Sequence, residues 1–143
     1  CAELGAKIGG SDDATIAHYA SFAADLGLAF QVKDDILGIW GDEALTGKSA
    51  ATDIVTKKKT LPVLYGLTQS EALRKLYAEA APDDAFVAEA IRLLDENGAR
   101  DYARQKAADY SQSALSHLQA AAPTGPAGAA LHELADMLLS RNF

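Results

Sequence analysis

The sequence predicts an all-α protein, and three observations carry that reading. Helix formers, alanine prominent among them, run from end to end, and no stretch keeps up the apolar alternation of a strand. One segment, ending near Trp40, is apolar around most of a helical circumference. Gly9-Gly10, Asn97-Gly98 and the stretch from Pro123 to Gly128 punctuate the chain where helices would stop.

The elements follow in order. Cys1 to Ile8 forms a first helix that ends at Gly9 and Gly10. Ser11 is the expected N-cap of the next, with Asp12 and Asp13 favourably placed against the dipole of its first turn. That helix runs to about Trp40, which at ~1.5 Å per residue makes it the long central element. Gly41 to Lys59 reads as loop. A helix resumes over Thr60 to Leu67, where Pro62 is tolerated in the first turn. Further helices are expected at Ser70–Ala80, Asp83–Glu96, Ala99–Ala121 and Ala127–Ser140, with short connections and no internal repeat.

The chain has 143 residues, enough for one domain with a real core. Its formal charge of −7 argues against an electrostatic nucleic-acid binder. No apolar run approaches the length of a membrane span, and there is no secretory signal pattern. The single cysteine, Cys1, excludes an internal disulfide and suits a reducing, cytoplasmic setting. The opening CAELGAKIGG carries neither an initiator methionine nor a cap signal. It reads as cut into an existing helix, so a fragment of a longer protein is expected.

Function concentrates in FQVKDDILGIWGDEALTGKS, from Phe30 to Ser49. On a wheel of roughly 100° per residue, Ala20, Ala23, Ala24, Gly27, Gln31, Asp34, Asp35 and Gly38 share one wedge. The rest of the circumference is mainly apolar, from Phe22 to Trp40, which is the pattern of a buried helix. Two adjacent carboxylates buried without cations would cost several kcal/mol or force one to protonate. The wedge therefore reads as the wall of a polar cavity, with Asp34 and Asp35 facing a metal or a cationic ligand. Mg²⁺ suits them, because this hard cation takes oxygen ligands and bridges a few carboxylates to substrate phosphates.

Lys48, in GDEALTGKS, resembles the lysine of a phosphate-binding P-loop. The spacing fails: five residues separate Gly41 from Gly47 where a P-loop has four, and the preceding element is helix rather than strand. Lys48 can still meet a phosphate as a point charge. Lys57, Lys58 and Lys59 follow, just before Thr60-Leu61-Pro62, and such a run is ordinarily solvated surface. In an acidic chain, lysines soon after a carboxylate pair suit a diphosphate held between metal and cations. His18, His117 and His132 have no metal-ligand spacing and are expected at the surface or the edge of the core. Trp40 and the five tyrosines read as packing.

The stretch GLAFQVKDDILGIWGDEALTGKSAATDIVTKKKTLPVLYGL resembles the second aspartate-rich region of the trans-polyprenyl diphosphate synthases, the farnesyl and geranylgeranyl diphosphate synthase family. The motif set FQ, DD, GD, TGK and D-x4-K-x-T-L-P is specific in its order and spacing, and the match covers about the first half of the chain. The resemblance implies an isoprenoid-synthase-type helical bundle, with residues 1–143 forming the C-terminal portion of one synthase domain whose N-terminal half is absent. It implies Mg²⁺-assisted ionisation of an allylic diphosphate and condensation with isopentenyl diphosphate. Asp34 would then ligate Mg²⁺ directly, and Asp35 would support the ion by ligation or through its waters. Lys48 and Lys58 would contact the allylic diphosphate, Gln31 would face the same group, and Phe30 would line the hydrocarbon side. A homodimer is also implied.

Two departures stand out. The usual DDxxD has Gly38 in place of its last aspartate, one turn and ~6 Å along the axis from Asp34, while Asp42 lies ~12 Å away by the same rise. The first aspartate-rich motif is absent, so this chain supplies half a site and is expected to be inactive alone. A terpene cyclase on the same fold and a non-catalytic partner subunit are the alternatives.

Overall fold

The computed structural model describes residues 1–41, 51–79 and 81–139. Among them are eight helices and no strand: α1 Ala2–Ile8, α2 Asp13–Trp40, α3 Thr52–Val55, α4 Leu61–Gln69, α5 Glu71–Glu79, α6 Asp84–Glu96, α7 Ala99–Ala121 and α8 Gly125–Leu139. None of them is long and apolar enough to cross a membrane.

The expected boundaries need four corrections, the simplest being that α4 runs two residues past Leu67, to Gln69. The side chain that caps α2 is Asp12, not Ser11: its Oδ1 accepts the Thr15 N–H at 2.8 Å, and that bond holds the Asp12 carboxyl below its ordinary pKa. The expected loop from Gly41 to Lys59 contains the one-turn helix α3. Helix α8 starts two residues early, at Gly125, because Pro126 fits a first helical turn. Elsewhere cap chemistry acts as the sequence suggests. Asp83 accepts the Phe86 N–H at 2.8 Å to begin α6, and Gly98, at φ 70, divides α6 from α7.

The chain divides into two compact units. Among the described residues, the first comprises 1–31 and 107–139. Its core gathers Phe22 of α2, Ala114 and Leu118 of α7 and Ala135 of α8, with Tyr19, Leu26, Leu115 and Leu131 packed around them. Ser113 donates to Asp25 Oδ2 at 2.6 Å. His18 and His117, 99 residues apart, are half-buried and meet Nδ1 to Nδ1 at 3.1 Å, whereas His132 is exposed. Their ring centroids stand 5.4 Å apart, close to the 3.1 Å contact plus two ring radii. The nitrogens thus lie nearly on the line between the rings, the geometry of a ring-to-ring hydrogen bond rather than of two ligands converging on an ion.

The second unit is Val32–Lys106. Ile39, Ile54, Val63, Leu73, Phe86, Ala90 and Leu94 form its core. Gly66 of α4 is required there, since a Cβ would meet Leu73 Cδ2 at 2.9 Å and Leu94 Cδ2 at 2.5 Å. Tyr65 and Tyr102 stack with centroids 4.1 Å apart.

Tyr77 of α5 tilts against Phe86, and its buried hydroxyl has no partner among the described residues. Burial pushes its pKa up to about 12. A buried hydroxyl without a hydrogen bond costs roughly 1–3 kcal/mol. Tyr77→Phe is therefore expected to raise the melting temperature at neutral pH. The wild type should also lose stability as pH rises from about 10, where the unfolded tyrosine ionises, towards the folded value, and the phenylalanine variant should lose less. Melting curves at neutral pH and at about pH 11 check both; parallel losses in the two proteins would place the alkaline transition elsewhere.

Candidate active site

The last two turns of α2 carry Asp34, Asp35 and Gly38 into the second unit, and the segment from α3 to α4 folds against them. The wedge drawn on the wheel does not behave as one surface. Ala24, Gly27 and Gln31 are exposed and Asp34 is half-buried, but Asp35 is only 6% exposed.

Lys58 and Leu61 are among the groups that hydrogen-bond the buried carboxylate. Lys58 Nζ donates to Asp35 Oδ1 at 3.3 Å, and the backbone N–H of Leu61 donates to Oδ2 at 3.2 Å. Leu61 opens α4, where the first N–H groups lack intrahelical acceptors. The flanking Thr60 makes no side-chain cap, so Asp35 acts as that cap from another helix and brings negative charge to the helix's positive end. The hydroxyl of Thr60 is buried without a partner among the described residues.

Lys58 also reaches Asp53 Oδ2 at 3.3 Å, so its ammonium stands between two carboxylates from different elements. Partial burial pulls the Lys58 pKa down, but the hydrogen bond and charge of Asp53, then those of Asp35, outweigh it and hold the lysine above its ordinary value. With the Lys58 side chain 47% exposed, each ion pair is worth at most about 1 kcal/mol. The firmer constraint falls on Asp35, since removing the partners of a buried carboxylate costs several kcal/mol.

Gly38 takes on a new meaning beside Asp53. A Cβ at position 38 would meet Asp53 Cγ at 2.6 Å and Oδ2 closer still. The Asp53 carboxylate occupies the space beside Gly38, on the helix face one turn beyond Asp34. A carboxylate is therefore present near the position where the family motif has its last aspartate, delivered by α3 instead of α2. Asp53 had only been a letter of the D-x4-K spacing in the sequence, with no role assigned. Its signal was that spacing, which a single-turn helix converts into a contact.

Of the other sequence-derived residues, Phe30 is half-buried and Gln31 exposed, both in the part of α2 that belongs to the first unit. Lys48 and Asp42 lie outside the described residues. The lysine triplet divides: Lys58 joins the carboxylates, Lys57 Nζ donates to the carbonyl of Tyr77 at 2.9 Å, and Lys59 is exposed. Among the described residues, no three His, Cys, Asp or Glu side chains converge as a complete metal cage.

A helical architecture that sets adjacent aspartates on a long helix against a lysine-bearing segment is that of the isoprenoid synthases, and the comparisons agree. Residues 1–94 match the family model described as polyprenyl synthetase. The chain belongs to that family. It is 42% identical over 123 residues to a geranylgeranyl diphosphate synthase of Mycobacterium tuberculosis, covering 82% of this chain and 35% of that protein. It superposes on a geranylgeranyl pyrophosphate synthetase from Pyrococcus horikoshii with a TM-score of 0.81 and 32% identity, over 99% of this chain and 45% of that one. The corresponding figures for a geranylgeranyl pyrophosphate synthase from Corynebacterium glutamicum, complexed with isoprenyl diphosphate and magnesium, are 0.76, 28%, 97% and 41%. The chain thus spans less than half the length of each of these relatives.

Proposed function

We propose that this chain supplies the second aspartate-rich half of a polyprenyl diphosphate synthase site, which ionises an allylic diphosphate and joins it to isopentenyl diphosphate. The Asp35–Lys58–Asp53 constellation beside Asp34 is the observation that carries the reading. It groups hard oxygen donors and a cation at the end of one helix, as binding of a metal diphosphate requires.

The donor set fits Mg²⁺, which binds through one or two carboxylates, keeps several waters and takes further oxygens from substrate phosphates. Asp34, half-buried, is the direct ligand in this reading. Asp53, beside Gly38, would help to hold the hydrated ion, and Asp35 mainly holds Lys58 and the start of α4 in place. When bound, the ion neutralises charge developing on the leaving diphosphate. Lys58 neutralises the same charge from the protein side, with Lys48 as a second cation. Phe30 keeps water from the hydrocarbon, and Gln31 orients the diphosphate by hydrogen bonding.

The names of the three relatives support chain elongation over cyclisation. In this reading an N-terminal half, matching the part of the relatives that this chain does not cover, completes the site, and the 143 residues alone do not transfer prenyl groups. The protein works in the cytoplasm as a homodimer, as the family resemblance implies.

Lys58→Ala in the full-length protein is expected to raise the KM for allylic diphosphate about tenfold or more, because a charge-assisted contact to phosphate is lost. Lys48→Ala should act in the same direction. Steady-state kinetics at saturating isopentenyl diphosphate provide the check. Unchanged KM in both variants would leave the lysine segment as solvated surface and defeat the diphosphate reading.

A further inference from the structure

Lys57 adopts φ 51, the left-handed region where glycine is the usual residue. The turn around it closes α3 as a Schellman motif. Lys57 N–H donates to the carbonyl of Ile54 at 2.9 Å and Lys58 N–H to that of Asp53 at 2.9 Å, the paired bonds that define this helix ending. An apolar contact often joins the two ends of such a motif; here the Lys58–Asp53 ion pair takes that place. The turn therefore decides where the Lys58 ammonium can go.

A lysine in the left-handed position brings a cost that glycine would avoid, and its side chain is engaged in return. The Lys57 ammonium donates to the carbonyl of Tyr77 at 2.9 Å and lies 5.0 Å from the centre of the Phe86 ring. Tyr77 is in the last turn of α5, whose carbonyls lack intrahelical donors and whose dipole favours a cation. Helix α5 has no basic residue of its own in that turn, so Lys57 provides the charge from outside.

We propose that Lys57 is a positioning residue: its tether to α5 and Phe86 holds the left-handed turn that presents Lys58 between Asp35 and Asp53. The turn cannot swing without withdrawing the Lys57 ammonium from the carbonyl and the ring. Lys58 is thereby aimed before any diphosphate arrives, and affinity gains because less freedom is lost on binding.

This inference rests on Lys58 contacting diphosphate, and the test separates the two. Lys57→Gly keeps the left-handed turn accessible and removes the side-chain tether, so the variant is expected to fold. In the full-length enzyme its KM for allylic diphosphate should rise about fivefold, with kcat nearly unchanged and Lys57→Arg recovering part of the loss. In a Lys58→Ala background the same change should add nothing to KM, since the residue it positions is gone. A merely structural Lys57 would lower activity equally in both backgrounds, and that result would overturn the proposal. So would a wild-type KM in Lys57→Gly while Lys58→Ala raises it. If Lys58→Ala itself leaves KM unchanged, the diphosphate reading has failed, and the positioning role falls with it.

Discussion

Asp34→Ala in the full-length protein is expected to lower turnover by several powers of ten while the fold survives. The side chain is half-buried on the exit turns of α2, so truncating it opens no large hole in the core. Its loss is chemical: a carboxylate ligand that stabilises charge on a leaving diphosphate is worth several kcal/mol in the transition state. Isopentenyl transfer at saturating Mg²⁺, beside a thermal melt, measures both quantities. Activity within about tenfold of wild type, or roughly 1.4 kcal/mol, would remove Asp34 from the mechanism. Asp35→Ala should behave differently, lowering the melting temperature as well, because the Leu61 N–H loses its side-chain acceptor and Lys58 keeps only Asp53 of its two carboxylates.

Gly38→Asp brings the second large effect, and its expected sign is set by the structure. Judged from the motif alone, the change restores a missing carboxylate and should tighten the dependence on Mg²⁺. The Asp53 carboxylate already fills that space, so a new side chain must displace it and set two negative groups against each other. Displacement also strips Lys58 of one of its two partners. Activity is therefore expected to fall by about tenfold or more, with a higher Mg²⁺ concentration at half-saturation. A Gly38→Asp/Asp53→Gly double variant moves the carboxylate from α3 back to α2 and should recover much of the loss. Titrating transfer activity against Mg²⁺ in the single and double variants decides the matter. A single variant that works at lower Mg²⁺ than wild type would show that Asp53 yields without cost.

Most helices could be read directly because their signals are local. Asp83 before α6, Gly98 after it and the long apolar run of α2 each act on residues within a turn or two. The family too was readable, since its motif is a fixed order of residues in one continuous stretch. The short α3 was missed because a single turn gives no periodicity to detect, and its left-handed flanks, Ala51 and Lys57, are not glycines. His18 and His117 show the other limit: 99 residues separate two side chains that share one hydrogen bond.

Residue types and spacing were enough to establish an all-α chain, the polyprenyl synthetase family, and Asp34, Asp35 and Lys58 as the residues to test. They could not assign different work to neighbours, because adjacent side chains on a helix point about 100° apart and only packing shows what each one meets. Folding buries Asp35 as the cap of α4, leaves Asp34 half-exposed, and turns Lys57 and Lys58 to different partners. It also sets Asp53 beside Gly38 across fifteen positions of sequence. That last arrangement is tertiary in origin: a glycine reads as a missing carboxylate until another helix is seen to fill the space it leaves.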